Sequence, residues 1–399
     1  MTQQPQLAPN QIPVLIYVPG LGTSAENTAD VVADVIAESA DLRDPQGKYT
    51  AQTAFDVVSP TGLTVSKKVS APDGNTVLQL FEFNYRPALD ESTTPFAPSA
   101  GPSAIKAVTM AVEAAVKWGA AARQPGKGKA VKVQLLGLGA LVLALLAAAL
   151  FAVAALLVAL GVPLGWFAQV LGTEEQAGRW TFGIAAFGTI TWAALRKKIL
   201  GLATLSEAMV NFVDNDNQLA DNISRRLAKA INDLTDAGWV GPIHLLGYSF
   251  GSLIVYETMF PRTTSMADTV PAGAVKTLTT IGCPLDIVRL YEPDYVGDRT
   301  PSRVGIPWKN VFNPADLLSS NLMNGTDSAE GASNALDTGS VKPESVRYLK
   351  EDIGVVGILK TGRMHSNYWG EVRAEPSSNC FNPLINAWIP ARPPATVQS

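Results

Sequence analysis

The chain has 399 residues, of which 47% are hydrophobic and only 17% are charged, and its formal net charge is −4. Soluble domains usually carry about 25% charged residues, so this chain is short of charge. The negative net charge excludes a broadly basic surface for binding nucleic acid, and no nucleic-acid partner is expected.

The first 87 residues are predicted to begin an α/β domain. Residues 12–18 form a continuous apolar run, typical of a strand buried on both faces of a parallel sheet. Apolar residues at helical spacing predict a helix over 25–40. Further strands are predicted at 52–58, 63–70 and 78–85. The N-terminus lacks the basic start and apolar core of a signal peptide, so any membrane signal is expected inside the chain.

The missing charge is concentrated in one insertion, predicted to span 88–200. It opens with a Pro/Ser/Thr-rich stretch, 87–102, that predicts a linker, and no charge occurs between Lys132 and Glu174. As a helix, 135–160 would be about 39 Å long and would exceed the ~30 Å hydrocarbon core of a bilayer. This favours a transmembrane helix over a hydrophobic lid or a core helix.

A second apolar segment, 180–196, is shorter, and the sequence leaves open whether it fully crosses the membrane. Because the flanks of the insertion belong to one predicted fold, the number of spans must be even. The sequence therefore predicts a two-span helical hairpin, with 105–122 lying along the membrane surface or over the mouth of the site. Basic residues flank the hairpin at Arg123, Lys127, Lys129, Lys132, Arg196, Lys197 and Lys198. They favour a cytoplasmic location for the rest of the chain, unless they are only solvated helix ends.

Residues 201–399 are predicted to complete the α/β domain. Apolar residues at steps of three or four predict an amphipathic helix over 217–235, and a short apolar strand follows at 243–247. Further strands are predicted at 275–281 and 304–312. Strands that alternate with helices favour a mostly parallel sheet flanked by helices.

A possible nucleophile lies in the stretch Gly247–Gly251, which matches the pattern G-x-S-x-G. The pattern alone is modest evidence, because a tight turn can carry an incidental serine. Here it joins a predicted strand to a predicted helix, where two glycines permit a sharp turn that exposes the hydroxyl of Ser249. The start of the helix would also supply free N–H groups and positive potential.

A serine nucleophile needs a base, and the chain has two histidines. His244 precedes Ser249 by five residues along an extended strand, which places it roughly 15 Å away and out of reach. His365 lies in a polar stretch near the C-terminus and remains as the predicted base. In the chain order Ser…Asp…His, Asp286 and Asp316 are both candidates for the carboxylate that orients it.

These motifs resemble the α/β-hydrolase superfamily, and the resemblance covers about 1–87 and 201–399. It implies an acid on the loop after the second strand beyond the nucleophile, which favours Asp316 over Asp286. It also implies an oxyanion hole formed by the backbone N–H groups of Phe250 and Leu21. Leu21 lies in Pro19-Gly-Leu-Gly22, where many relatives carry His in place of Pro19. The same loop also fits a dinucleotide-binding pattern, but no strand ending in an acidic residue follows at the expected spacing.

The expected protein is a membrane-anchored serine hydrolase, esterase- or lipase-like, in which an α/β-hydrolase-type sheet carries an inserted transmembrane hairpin. It would cleave ester or thioester bonds of lipid-like or acyl substrates through an acyl-serine intermediate. The bilayer and a small acyl or lipid substrate are the expected partners, and no cofactor or metal is expected. An acyltransferase or a peptidase would use the same triad. A non-catalytic scaffold would instead leave Ser249 beyond hydrogen-bond reach of His365.

Overall fold

A computed structural model describes most of the predicted α/β domain. The described residues are 7–21, 28–44, 47–54, 62–92, 116, 120, 139, 212–213, 218–262, 270–285, 288, 295–296, 306–313, 316, 318–320, 322, 343–348, 365, 368–369 and 380–389.

Eight strands form one mixed sheet in the order β2-β3-β4-β1-β5-β6-β7-β8. The strands are β1 (Val14–Val18), β2 (Thr50–Thr53), β3 (Leu63–Ser70), β4 (Thr76–Phe83), β5 (Ile243–Tyr248), β6 (Val275–Ile281), β7 (Trp308–Phe312) and β8 (Glu344–Arg347). The pairs β2–β3 and β3–β4 are antiparallel, and the other five pairs are parallel. The sheet is therefore mostly parallel, with an antiparallel edge.

Helices flank this sheet. They are α1 (Ala29–Arg43), α2 (Arg86–Ser92), α3 (Leu219–Asp236), α4 (Phe250–Met259) and α5 (Ile385–Trp388), with a 3₁₀ turn at Pro9–Gln11. Helix α1 packs on β2, β3 and β4 and touches α5, whereas α4 packs on β1, β5 and β6 and contacts α3. All five residues of β1 are buried, as expected for a central strand covered on both faces.

The sequence determines these elements through its apolar spacing. The buried side chains of α3 recur every three or four residues, so one stripe of the helix faces the core. On β1, the alternate residues Leu15 and Tyr17 belong to one core cluster with α1 and α5. The α/β class and the mostly parallel, helix-flanked sheet predicted from sequence are confirmed.

The stretch 87–102 is not a linker throughout, because its first residues belong to α2. The side chain of Asn84 accepts a hydrogen bond from the backbone N–H of Arg86, and Pro87 lies in the first turn. Proline is tolerated there, since the first helical N–H groups have no partner within the helix. The composition of the stretch obscured this short helix.

The chain divides into two compact units. One contains residues 1–94, 125–134 and 211–399, and the other contains 95–124 and 135–210. In the second unit the structure describes only residues 116, 120 and 139. The predicted spans 135–160 and 180–196 thus lie outside the described residues, apart from Gly139. Within the part of the chain that is described, no helix combines the length and apolar character needed to cross a bilayer.

Candidate active site

The carboxyl ends of four parallel strands meet at one edge of the sheet. There β1 leads into Pro19–Leu21, β5 into Ser249, β6 into Gly282 and β7 into Asn313–Asp316. In open parallel sheets, this edge is where ligands bind, because the loops that leave it converge over the strand ends. The residues predicted to carry chemistry are found at this edge.

Ser249 forms a strained turn between β5 and α4. Its backbone has φ 53° and ψ −121°, a positive-φ conformation that costs a non-glycine residue about 1–3 kcal/mol. Its N–H donates to the carbonyl of Ile281 at 2.8 Å, which ties the turn to β6. The side chain makes no capping hydrogen bond to α4, so the hydroxyl remains available for other partners.

The two glycines beside this turn are required by close packing. A β-carbon at Gly251 would lie 2.0 Å from the carbonyl oxygen of Val18, and one at Gly247 would lie 2.6 Å from the carbonyl oxygen of Gly251. Real β-carbons essentially never come within 3.0 Å of such atoms. The G-x-S-x-G pattern therefore lets β5, α4 and the end of β1 meet at backbone distance.

Ser249, His365 and Asp316 form a continuous hydrogen-bonded chain. The Ser249 Oγ lies 2.7 Å from His365 Nε2, and His365 Nδ1 lies 2.8 Å from Asp316 Oδ2. A carboxylate accepts hydrogen bonds, so Nδ1 carries the proton and Nε2 is left to accept from the serine hydroxyl. The imidazole is 15% exposed and the carboxylate is fully buried.

Asp316 is held by hydrogen bonds to both of its oxygens. Oδ1 accepts from the backbone N–H of Leu318 at 2.9 Å, and Oδ2 accepts from the hydroxyl of Tyr368 at 2.8 Å as well as from His365. The Tyr368 hydroxyl in turn accepts from the backbone N–H of Asn313 at 3.1 Å. Burial and the neighbouring carboxylate raise the pKa of Tyr368 well above its usual value, so its hydroxyl remains a donor.

His365 is positioned by aromatic packing from Tyr248, the residue that precedes Ser249. The ring of Tyr248 stacks on the imidazole with centroids 5.6 Å apart, and its hydroxyl donates to the backbone carbonyl of His365. On another side lies Gly282, where a β-carbon would come within 3.3 Å of His365 Cε1 and 3.1 Å of Tyr368 Cε2. Gly282 also has φ +60°, so a side chain there is disfavoured twice.

The loop after β1 lies against the serine. A β-carbon at Gly20 would be 3.0 Å from the β-carbon of Ser249. The hydroxyl of Tyr85 donates to the carbonyl of Pro19 at 2.9 Å, and its ring packs on Phe250 with centroids 5.7 Å apart. Leu21 follows Gly20 in this loop and is partly buried, while Phe250 begins α4 and is fully buried. Gly22 lies outside the described residues.

His244 is buried away from this chain of hydrogen bonds. Its Nδ1 lies 2.8 Å from Thr277 Oγ1, and burial lowers its pKa to about 4. Its Nε2 has no hydrogen-bond partner among the residues that the structure describes. Cys283 and Cys380, the two cysteines of the chain, are both buried and are not joined by a disulfide. Among the residues that the structure describes, no three side chains of His, Cys, Asp or Glu are grouped so as to hold a metal ion.

The structure brings together Ser249, His365 and Asp316, with Phe250 adjoining the serine and Leu21 one residue beyond Gly20. The alternative acid Asp286 lies outside the described residues. Sequence reasoning missed Tyr248, Tyr368 and Gly282. The position of Tyr248 beside the serine and that of Tyr368, three residues after His365, were the available signals.

Comparisons of the chain with protein-family models, with curated proteins and with solved structures gave no match. The geometry of the site therefore carries the functional argument that follows.

Proposed function

We propose that the chain is a serine hydrolase that cleaves carboxylic esters or thioesters. The observation that carries this proposal is the hydrogen-bonded chain from Ser249 through His365 to Asp316, with distances of 2.7 and 2.8 Å. Such a chain activates a hydroxyl that is otherwise a weak nucleophile at neutral pH. The 2.7 Å contact argues against a non-catalytic scaffold, for which a separation beyond hydrogen-bond reach is expected.

The proposed reaction has two halves. His365 Nε2 takes the proton of Ser249 as Oγ attacks the substrate carbonyl carbon, and the tetrahedral oxyanion is stabilised by N–H groups of Phe250 and Leu21. The imidazolium, paired with Asp316, then gives its proton to the departing alcohol or thiol, and an acyl-serine remains. Water, deprotonated by His365, attacks this ester, and the serine regains its proton as the acid product leaves.

The arrangement of the sheet supports an α/β-hydrolase-type fold. The serine follows β5, the acid follows β7, which is two strands further along the chain, and the histidine comes later still. The strained backbone of Ser249 between a parallel strand and a helix is the geometry of a nucleophile elbow. These features agree with the resemblance drawn from the motifs.

Membrane attachment is a separate part of the proposal and rests on the sequence. The 41 uncharged residues of 133–173, with basic flanks such as Lys132 and Arg196, support a transmembrane hairpin with the catalytic unit on the cytoplasmic side. An active site held at a bilayer has lipid-like or long-chain acyl substrates at high local concentration. We therefore propose these as the substrate class.

The catalytic proposal is tested by labelling membranes that contain the full chain with a fluorophosphonate probe, which reacts with activated serines. Wild type is expected to be labelled, and Ser249→Ala is expected to lose the label. Ser39→Ala is the matched control, because Ser39 is a buried serine on α1 whose hydroxyl bonds to Val35. If labelling of wild type and of Ser249→Ala is the same, the proposal is overturned. Activity on a panel of esters, thioesters, amides and acyl acceptors would distinguish a hydrolase from a peptidase and a transferase.

The membrane proposal has its own test. The chain is expected to remain in the pellet after alkaline carbonate extraction, and added protease is expected to spare the catalytic unit in sealed right-side-out vesicles. Extraction into the supernatant would remove the hairpin from the proposal, whereas digestion from outside would reverse only the orientation.

A further inference from the structure

Tyr368 makes an unusual contact for a residue outside the predicted triad. Its hydroxyl lies 2.8 Å from Asp316 Oδ2, the same oxygen that accepts from His365 Nδ1. The tyrosine is fully buried, so protein groups replace water around this hydroxyl, among them Asp316 and the N–H of Asn313. Nothing in the reaction outlined above uses it.

The contact fixes the direction in which the carboxylate faces. Oδ1 is held by the N–H of Leu318, and Oδ2 is held by Tyr368 together with His365. Rotation of the carboxylate about its Cβ–Cγ bond would break all three hydrogen bonds at once. Loss of the Tyr368 hydroxyl would remove one of the hydrogen bonds that hold Oδ2, and the Asp316–His365 pair would be freer to turn.

The contact also connects two segments that lie 52 positions apart in the chain. Asn313 and Asp316 follow β7, whereas Tyr368 belongs to the segment that carries the base. The Asn313 N–H donates to the Tyr368 hydroxyl, and this hydroxyl donates to Asp316 Oδ2. The rings of His365 and Tyr368 both lie beside Gly282, where an added β-carbon would come within 3.3 Å of the first and 3.1 Å of the second.

We propose that Tyr368 is a positioning residue. It holds Asp316 and the segment that carries His365 in a fixed relative position, so that His365 Nε2 faces Ser249 throughout the reaction. The Tyr368 hydroxyl donates to the carboxylate that orients His365, so the proposed role acts through Asp316. The inference rests on the proposed function, because a positioning role has meaning only if Ser249 is the nucleophile.

A matched pair of variants tests this role. Tyr368→Phe removes one hydroxyl and retains the ring. Tyr348→Phe makes the same change in a neighbouring buried ring, which stacks on Tyr368 at 5.7 Å. Turnover of a soluble ester by the full chain in detergent is measured and normalised to active sites titrated with a fluorophosphonate. We expect Tyr368→Phe to lower kcat about tenfold with KM changed less than twofold, and Tyr348→Phe to change neither beyond about twofold.

A double-mutant cycle distinguishes positioning from a general structural effect. In an Asp316→Asn background the partner of the hydroxyl is altered, so adding Tyr368→Phe is expected to lower the labelling rate less than about twofold. An equal loss in both backgrounds, or equal losses for the Tyr368 and Tyr348 variants, would overturn the positioning role. An unchanged kcat in Tyr368→Phe would also overturn it while leaving the proposed function standing. Wild-type labelling that persists in Ser249→Ala would instead reject the proposed function, and the positioning role with it.

Discussion

Gly251 on α4 lies so close to Val18 at the end of β1 that a β-carbon on the glycine would come 2.0 Å from the valine carbonyl oxygen. This contact brings the helix that follows Ser249 directly against the strand that leads into the Gly20 loop. It joins the two parts of the chain that together surround the serine.

Gly251→Ala is expected to move the start of α4 and with it Ser249. We expect a loss of about 3 kcal/mol in the free energy of unfolding, as for an overpacked core position, and at least a hundredfold slower fluorophosphonate labelling. Gly74→Ala is the control, since φ is +83° there but nothing lies within 4 Å of the added carbon. Its cost is limited to backbone strain of about 1–2 kcal/mol, with the labelling rate unchanged. Similar labelling rates for the two variants would refute the steric argument.

Asp316→Asn replaces the acceptor of the His365 Nδ1–H bond with an amide. The imidazole is then free to adopt the tautomer that cannot accept from Ser249, so kcat is expected to fall on the order of 10³–10⁴-fold. Asp286→Asn is the informative partner variant, because Asp286 is the other acid consistent with the chain order. Steady-state kinetics on one soluble ester decides between them, and a large loss in Asp286→Asn with little loss in Asp316→Asn would reassign the acid.

Tyr85→Phe is expected to loosen the oxyanion side of the site. The hydroxyl of Tyr85 donates to the carbonyl of Pro19, and its ring packs on Phe250, so this one residue contacts one proposed donor residue and the loop that carries the other. Loss of the hydrogen bond should lower kcat roughly tenfold, less than loss of a whole donor, with KM little changed.

Affinity for a trifluoromethyl ketone, which mimics the tetrahedral intermediate, should fall in parallel with the kcat of Tyr85→Phe. Tyr49→Phe is the control, because its hydroxyl bonds to Asp44 at the end of α1. If kcat changes in Tyr85→Phe while affinity for the ketone does not, the hydroxyl does not act through the oxyanion.

His244 is expected to make the fold sensitive to acid. Burial lowers its pKa from 6.5 to about 4. Between pH 6.5 and 4, the imidazole therefore binds a proton in the unfolded chain and stays neutral in the folded chain. Stability therefore falls as the pH drops from 6.5 towards 4, by at most about 3 kcal/mol from this group, and no further below 4.

His244→Asn removes this titration and keeps a polar group near Thr277. Thermal unfolding of the detergent-solubilised full chain between pH 7.5 and 4.5 should show a smaller loss in the variant than in wild type. Carboxyl groups whose pKa is raised by burial, such as Glu82, contribute equally to both proteins and cancel in the difference. Parallel stability profiles for the two proteins would show that His244 does not cause the acid sensitivity.

The sequence was sufficient to single out Ser249 and His365, which lie within hydrogen-bond distance in the structure, because each is defined by local or countable features. Ser249 lies in a short motif between a strand and a helix, and His365 is one of only two histidines. The prediction of Asp316 as the acid had weaker support, because two aspartates satisfied the chain order and only the resemblance favoured one of them. The strand alternation was also sufficient to predict the α/β class.

The contacts that support the site were not predictable from sequence, because they join residues far apart in the chain. Tyr248 meets His365 across 117 positions, and Tyr368 meets Asp316 across 52. In the sequence, nothing distinguishes Gly282 from other glycines at strand ends, because its importance lies in the rings of His365 and Tyr368 beside it. The four-residue strand β8 was missed because so short a segment carries no periodicity.

The position of β1 between β4 and β5 has a consequence for synthesis. Strands β1 to β4 precede β5 by roughly 160 residues, which a ribosome takes on the order of ten to thirty seconds to add. During that interval the edge of β1 that will pair with β5 has no partner strand. All five residues of β1 are buried in the folded protein. An open apolar edge invites pairing with other chains. We therefore expect this edge of β1 to be a binding site for chaperones until the second half of the sheet emerges.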